Sequence, residues 1–152
     1  MLIWNWKRCG RSGQDECFFL DTNVVIDFYG KRDGFFEDAS LIFQMQKEGR
    51  LNATISSLTV VNCAYILGKA FSKEVMLKKV EELCRLFQVS GIDRTTIVSA
   101  LEMKPYDFED AVQYLLALPY QPDIIITRDK KGFSAMETPT MTPAEFIAIC
   151  RK

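Results

Sequence analysis

Short apolar segments alternate along the chain with longer stretches in which apolar residues recur at helical spacing. The segments that read as strands are residues 17–20, 51–55, 88–91 and 123–127. The first and last of these are mostly apolar or β-branched, as in strands that are buried on both faces. The alternation predicts an α/β fold, a three-layer α/β/α domain in which helices cover both faces of a mainly parallel sheet of about four to five strands.

Residues that favour helix ends divide the stretches between the predicted strands. Helix starts are predicted at Ser56 or Ser57, Ser72, Asp93, Asp107 and Pro143. Helix ends are predicted at or near Gly30, Gly49, Pro105 and Pro119. Between these limits, residues such as Met76, Val80 and Leu83 step by four and three positions, which is the period of a helix with one buried face.

The N-terminal residues differ from the rest of the chain. They contain both tryptophans, Trp4 and Trp6, together with basic residues that follow no clear period. We expect residues 1–16 to be an N-terminal extension that is either poorly ordered or docked by its tryptophans. Residues 17–152 show no internal repeat and no long linker, so we expect them to form one domain.

Histidine is absent from the 152 residues. This excludes Ser-His-Asp and Cys-His nucleophile pairs and every zinc site that needs an imidazole. An enzyme built on this sequence must use carboxylates, lysines, thiols or hydroxyls, and it has 20 Asp and Glu residues to choose from. The 19 Lys and Arg residues almost balance these acids, which argues against a generally basic nucleic-acid binder but leaves room for a local basic patch.

The cysteines indicate a reducing environment. Their number is odd and they form no C-x-x-C pair, so the sequence predicts neither a disulfide framework nor a thiolate zinc site. We expect free, mostly buried thiols in a cytoplasmic protein. No apolar run approaches the roughly 18 residues of a membrane span, and no apolar segment follows the basic N-terminal residues, so we expect neither a membrane segment nor a secretory signal.

Several acidic residues fall where the predicted parallel strands end. Asp21 follows the first strand and Asp129 follows the last, while Asp107 and Asp110 open the helix before that last strand. Because the carboxyl ends of parallel strands meet at one edge of the sheet, we expect these carboxylates to converge on a cation such as Mg²⁺ or Mn²⁺. Taken singly, each of them could instead be a helix cap or a turn residue. Acids near the first helix are expected to be solvated surface charges: Asp27, Asp33, Glu37 and Asp38.

Three sequence blocks resemble the signature of PIN-domain ribonucleases. Residues 20–27 (LDTNVVID) are similar to the opening L-D-T-N-hydrophobic-D signature of that family. Residues 107–114 (DFEDAVQY) resemble its third acidic block, and residues 126–133 (ITRDKKGF) resemble its fourth. The blocks occur in the family's order, and small stand-alone members of this length are similar to VapC-type toxins of bacterial and archaeal toxin–antitoxin pairs.

The resemblance implies a metal-dependent endoribonuclease that cleaves single-stranded or looped RNA by in-line attack of an activated water. The ligands that it implies for Mg²⁺ or Mn²⁺ are Asp21, Asp110 and Asp129. The residues that it implies around them, as orienting groups or as holders of metal-bound water, are Thr127, Asn23, Asp107 and Glu109.

The family's second acid is missing from this sequence. It usually lies early in the helix after the second strand, in a block resembling S-x-x-T-x-x-E, whereas residues 56–62 end on Asn62. An amide offers a carbonyl oxygen but no negative charge. We therefore expect Asn62 to be a neutral ligand or a hydrogen-bond donor beside the ligands, and the metal site to survive with weaker affinity. The alternative is a catalytically weakened or silent PIN-like module that binds RNA or a protein.

The resemblance also implies macromolecular partners, namely an RNA substrate, a second copy of the chain and a small antitoxin protein. The basic residues expected to hold the RNA backbone, unless they are dispersed solvated charges, are Arg128, Lys130, Lys131, Lys31 and Arg32. The apolar residues expected to line a dimer or antitoxin groove, unless they belong to the core, are Tyr65, Leu67, Met76, Val80 and Leu83.

Overall fold

The computed structural model describes residues 16–151, so the predicted N-terminal extension lies outside the described residues except for Glu16. The strands are Phe18–Leu20 (β1), Ala53–Ser56 (β2), Gln88–Ser90 (β3), Ile124–Ile126 (β4) and Thr140–Met141 (β5). The α-helices are Thr22–Tyr29 (α1), Phe36–Lys47 (α2), Ser57–Ala70 (α3), Lys73–Leu86 (α4), Arg94–Glu102 (α5), Phe108–Ala117 (α6) and Pro143–Cys150 (α7). A single 3₁₀ turn, Leu118–Tyr120, follows α6.

These strands form one parallel sheet in the order β3-β2-β1-β4-β5. The chain builds the sheet outward from β1 to β3 on one side and then returns to add β4 and β5 on the other side. The point at which the strand order reverses is therefore the β1–β4 pair, where Leu20 lies opposite Ile126. In open parallel sheets, ligands bind at the carboxyl ends of the strands beside such a reversal.

Helices cover both faces of the sheet. Phe18 and Leu20 of β1 point into a core formed with α1, α2, α3, α4 and α7. Phe19, between them, points to the opposite face, where it packs with Tyr114 of α6 and with Phe133. The burial of successive residues on opposite faces confirms the three-layer α/β/α fold and explains why the sequences of β1 and β4 are continuously apolar.

The predicted helix starts are confirmed by capping hydrogen bonds. Ser56, Ser72 and Asp93 each accept a hydrogen bond from a backbone N–H of the first turn that follows. Pro143 occupies the first turn of α7, and its cap Thr142 forms a reciprocal capping box with Glu145. The strand β5 was not predicted, because its two residues are too few to show a period.

The expectation that Asp27 is a solvated surface charge is wrong. Its side chain is fully buried, at 0% exposure. Asp27 lies one turn after Val24 on the inward face of α1, and its charge is balanced by Arg128 and Arg32. Among the other acids near the first helix, Asp33 and Glu37 are exposed as expected, while Asp38 is half-buried.

The apolar residues of α3 and α4 divide between the core and the surface. Leu67 and Leu83 are buried in the core, and Met76 packs against it. Val80 is half-buried. Tyr65 is instead 67% exposed, so part of this pair of helices keeps an apolar surface.

Of the described cysteines, Cys17, Cys63 and Cys84 are free, as predicted; Cys63 and Cys150 are buried, Cys17 is half-buried and Cys84 is exposed. Within residues 16–151, no helix combines the length and the hydropathy that crossing a membrane would require.

Candidate functional site

Asp21 lies at the carboxyl end of β1 and is the N-cap of α1. Its Oδ1 accepts a hydrogen bond of 2.7 Å from the backbone N–H of Thr22. Its Oδ2 accepts hydrogen bonds from Asn23 Nδ2 at 2.6 Å and from Thr127 Oγ1 at 2.8 Å. Asp21 therefore both caps α1 and contributes its carboxylate to the candidate site. The hydrogen bonds fix the direction in which that carboxylate points.

Thr127, which follows β4, connects two acids through its hydroxyl group. The hydroxyl donates to Asp21 and accepts a hydrogen bond of 3.0 Å from the backbone N–H of Asp129. Asn23 reinforces this connection, because its Oδ1 accepts a hydrogen bond of 3.1 Å from the backbone N–H of Arg128. The loop after β4 is thus held against the start of α1, and Asp129 is brought to the same edge of the sheet as Asp21.

Asp110 approaches the site from the first turn of α6. Asp107 is the N-cap of this helix and accepts a hydrogen bond of 3.0 Å from the backbone N–H of Asp110. The Asp110 side chain lies directly against Gly132, where a Cβ atom would overlap the Asp110 Oδ2. Gly132 N also donates to Asp129 Oδ1 at 3.3 Å, so the glycine lies between the two carboxylates. The absence of a side chain at position 132 is what allows this close approach.

Burial and mutual repulsion perturb the two enclosed carboxyl groups. Burial raises the pKa of Asp21 to about 6, although the hydrogen bonds from Thr127 and Thr22 act in the opposite direction. Burial also raises the pKa of Asp110 to about 7, and the charge of Asp21 is the largest further contribution. The charges that shift these two pKa values all belong to carboxylates: Glu109 and Asp129 act on Asp21, and Asp21, Asp107, Asp129 and Glu109 act on Asp110. The five acids therefore share one field of negative charge.

Asn62 lies on α3, and its side chain is directed at one of these acids. Asn62 Nδ2 donates a hydrogen bond of 2.8 Å to Glu109 Oε1, across a solvent-exposed gap between α3 and α6. The position where the family usually has an acid is therefore occupied by a donor that holds another acid in place. The sequence alone did not predict this pairing, because 47 residues separate the two partners.

A buried polar network that was not predicted lies beneath the site. Gln113 of α6 is fully buried, and its Nε2 donates to the hydroxyl groups of Thr22 and Thr59. Its Oε1 accepts a hydrogen bond from Ser56 Oγ. These contacts join α6 to the starts of α1 and α3, so the three helices that position Asp21, Asn62 and Asp110 are held together beneath the site. A polar residue one turn after Asp110 on an otherwise apolar helix face is the signal that could have identified Gln113.

The basic residues around the site are partly engaged with other side chains. Arg128 Nε lies 2.6 Å from Asp27 Oδ2, and Lys130 Nζ lies 3.0 Å from Glu145 Oε1. Lys131 Nζ lies 4.8 Å from the centre of the Tyr106 ring. In the loop after α1, Lys31 and Arg32 are exposed. Arg128 is therefore partly structural, whereas the lysines keep their ammonium groups at the surface.

The donor set of the site fits a hard divalent cation. Its groups are carboxylate oxygens, the ligands that Mg²⁺ and Mn²⁺ prefer, and their mutual repulsion is what a cation would relieve. Within residues 16–151, however, no three acidic or thiol side chains stand together as an assembled metal-binding group. The described residues thus form a compatible donor set rather than a completed coordination shell.

Comparisons with known proteins agree with the fold and with the family resemblance. A sequence model of the PIN domain family matches residues 18–131. The chain is 23% identical over 136 residues to ribonuclease VapC1 of Aquifex aeolicus (strain VF5), a match that covers 86% of this chain and 93% of the relative.

Solved structures show the same architecture. VapBC-1 from nontypeable Haemophilus influenzae superposes with a TM-score of 0.63 at 16% identity, covering 84% of this chain and 98% of that one. A toxin-antitoxin complex from Klebsiella pneumoniae superposes with a TM-score of 0.60 at 20% identity, covering 82% of this chain and 96% of that one.

The fold and the acidic edge together define a parallel α/β/α domain with a carboxylate site at its strand reversal. Because the family match extends over most of the chain, this protein belongs to the PIN domain family.

Proposed function

We propose that this protein is a metal-dependent endoribonuclease that hydrolyses phosphodiester bonds of single-stranded or looped RNA, using Mg²⁺ or Mn²⁺. The observation that carries the proposal is the meeting of two buried carboxyl groups with raised pKa values, Asp21 and Asp110, beside Asp129. Such groups are costly to keep in a fold unless a bound ligand uses their charge. The curated relative named a ribonuclease supports the same activity.

Asp21, Asp110 and Asp129 would hold the cation. When bound, the cation would neutralise charge on the scissile phosphate and lower the pKa of a nucleophilic water. Thr127 and Asn23 keep the Asp21 carboxylate oriented through their hydrogen bonds, so little reorganisation is needed on binding. The resemblance implies this orienting role for Thr127 and Asn23, and their hydrogen bonds to Asp21 support it.

The outer acids lie around these three residues. Asp107 is exposed and fixes the first turn of α6, while Glu109 is exposed and held by Asn62. We assign both to binding the waters around the cation rather than to direct ligation. Asn62 donates a hydrogen bond to Glu109 through its amide nitrogen. At this position the family usually has a charged acid, so here a hydrogen-bond donor stands in its place.

The proposed partners are a small antitoxin protein and a second copy of the chain. The structural neighbour named as a toxin-antitoxin complex supports the antitoxin partner, whereas the second copy of the chain rests on the family resemblance. The apolar surface that we assign to the antitoxin is the cavity of about 110 Å³ between α1 and α3, lined by Ile26, Tyr29, Cys63, Ile66 and Phe71. The proposal places the protein in the cytoplasm, where toxins of this kind meet RNA.

The experiment that tests the activity is incubation of the purified protein with a pool of single-stranded RNA, with Mn²⁺ or with EDTA. We expect cleavage with Mn²⁺, no cleavage with EDTA, and loss of cleavage in Asp21→Asn. The exposed acid Asp33, which follows α1, provides the matched control, and Asp33→Asn should cleave like the wild type. Equal cleavage by wild type and Asp21→Asn would reveal a contaminant and overturn the proposal.

A second candidate function is a PIN-like module that binds RNA or a protein without cleaving. The observation that favours it is Asn62, where a neutral amide replaces the acid and its nitrogen is already bonded to Glu109. Binding of the same RNA pool at saturating Mn²⁺, with no cleavage by wild type, would establish this module in place of the nuclease.

A further inference from the structure

An exposed tyrosine lies at the edge of the acidic site. Tyr106 is 81% exposed, the largest exposed fraction of any large apolar side chain in the part of the chain that the structure describes. It directly precedes Asp107, whose carboxylate caps the helix that carries Asp110. The ring takes no part in the core, so its faces are available for contact at the rim of the acidic site.

The loop that presents this ring is constrained. Lys104 adopts a left-handed backbone conformation, with φ of 47°, and its N–H donates to Leu101 O at 3.1 Å. Pro105 follows and fixes its own φ angle, so the chain direction into Tyr106 is set by two successive restricted residues. The ring is therefore held at the site by a short rigid connection rather than by a long loop.

A lysine from the opposite side of the site covers one face of the ring. Lys131 Nζ lies 4.8 Å from the centre of the Tyr106 ring, a cation–π contact. The backbone of Lys131 is fixed by hydrogen bonds from Ser134 to its carbonyl oxygen, and the next residue is Gly132, which packs against Asp110. Both residues are therefore adjacent in sequence to a residue that contacts Asp110. Tyr106 precedes Asp107, which caps the helix at Asp110, and Lys131 precedes Gly132, which packs against Asp110.

We propose that Tyr106 and Lys131 form a nucleobase platform, which stacks one unpaired base of the RNA on the open face of Tyr106 and binds its adjoining phosphate with Lys131. This inference rests on the proposed function and adds a substrate subsite to it. Stacking suits any base, because every base has a π-face, and the ammonium group supplies the charge that a phosphate needs. The platform selects unpaired RNA, since a base within a duplex cannot reach the ring.

The test measures binding of a short fluorescein-labelled single-stranded RNA in EDTA, where no cleavage interferes. Tyr106→Ala should weaken binding by about tenfold, while Tyr106→Phe and Tyr106→Trp should bind like the wild type. Leu77 on α4 provides the control, because it is an exposed apolar side chain with no assigned role. Leu77→Ala should leave RNA binding unchanged.

A second measurement distinguishes stacking from a general effect of the substitution. Abasic sites are introduced one at a time along the RNA. One position should weaken binding to the wild type by about tenfold, and that position should have no effect on binding to Tyr106→Ala. Equal sensitivity of both proteins at every position would overturn the platform.

The outcomes separate this inference from the proposed function. If the wild type cleaves RNA with Mn²⁺ and Tyr106→Ala binds RNA equally well, only the platform is overturned. If Tyr106→Ala changes the oligomeric state in light scattering without changing RNA affinity, the ring belongs to a protein interface and the platform is likewise overturned. If the wild type neither binds nor cleaves RNA, the proposed function itself is overturned.

Discussion

Arg128 Nε lies 2.6 Å from Asp27 Oδ2, and this ion pair joins α1 to the loop that carries Asp129. The Arg128 guanidinium also lies over the Phe35 ring, 4.3 Å from its centre. Burial raises the pKa of Asp27, while Arg128 and Arg32 act to lower it. A residue from the loop of the site is therefore also a structural partner of a fully buried acid.

Arg128→Ala should destabilise the fold by about 3 kcal/mol, because it leaves Asp27 buried with only the more distant Arg32 beside it. Urea unfolding measures the loss. The double variant Asp27→Asn with Arg128→Ala should recover most of it, since no buried charge remains. A double variant as unstable as Arg128→Ala alone would contradict the pairing.

Gly132→Ala should reduce cleavage by about 10- to 100-fold, because the added Cβ would displace the Asp110 carboxylate. The fold should persist, since Gly132 lies in a turn outside the helices and strands. Gly91→Ala is the matched control, because a Cβ there meets nothing within 4 Å. Initial rates and circular dichroism of both variants test this prediction, which fails if the two variants cleave alike.

Asp110→Asn should stabilise the metal-free protein at neutral pH. Burial raises the folded-state pKa of Asp110 to about 7, so between the unfolded pKa of about 4 and pH 7 the folded state binds more protons. Wild-type stability due to this group therefore falls as pH rises through that window and is constant above it. The free energy of unfolding of Asp110→Asn should exceed that of the wild type by an amount that grows from about pH 4 to pH 7 and reaches about 1–3 kcal/mol at pH 8.

With Mn²⁺ at pH 8, the wild type should become more stable than Asp110→Asn. A cation that binds only the folded state raises the melting temperature of the wild type, whereas Asp110→Asn has lost a ligand and gains less. Thermal melts with EDTA and with Mn²⁺ at several pH values measure both effects. If the difference in melting temperature between Asp110→Asn and wild type does not change with pH, burial does not raise the pKa of Asp110.

The fold was largely predictable from the sequence, because its signals are local. The apolar runs around Phe19 and Ile125 and the caps at Ser72 and Asp93 each lie within a few residues of the structure they determine. Asp27 was assigned wrongly because its neutralising partner is Arg128, about a hundred residues away in the sequence. The Asn62–Glu109 contact was missed for the same reason.

Asn62→Asp should strengthen Mn²⁺ binding several-fold, because it adds a carboxylate to a site that has one acid fewer than the family pattern. The same change should lower metal-free stability at neutral pH, since the introduced charge faces Glu109 where Nδ2 now donates at 2.8 Å. Isothermal titration with Mn²⁺ measures the first effect. Asn62→Ala is the control and should show no gain in affinity, and equal affinities for all three proteins would rule out a charge deficit at position 62.

The location of the bound cation tests the central claim most directly. Anomalous difference density from crystals soaked in Mn²⁺ should show a peak among the carboxylates of Asp21, Asp110 and Asp129. The same soak of Asp21→Asn should show a weaker peak or none. A strong wild-type peak elsewhere on the protein, or none at these residues under saturating Mn²⁺, would contradict the assignment of this edge of the sheet as the metal-dependent site.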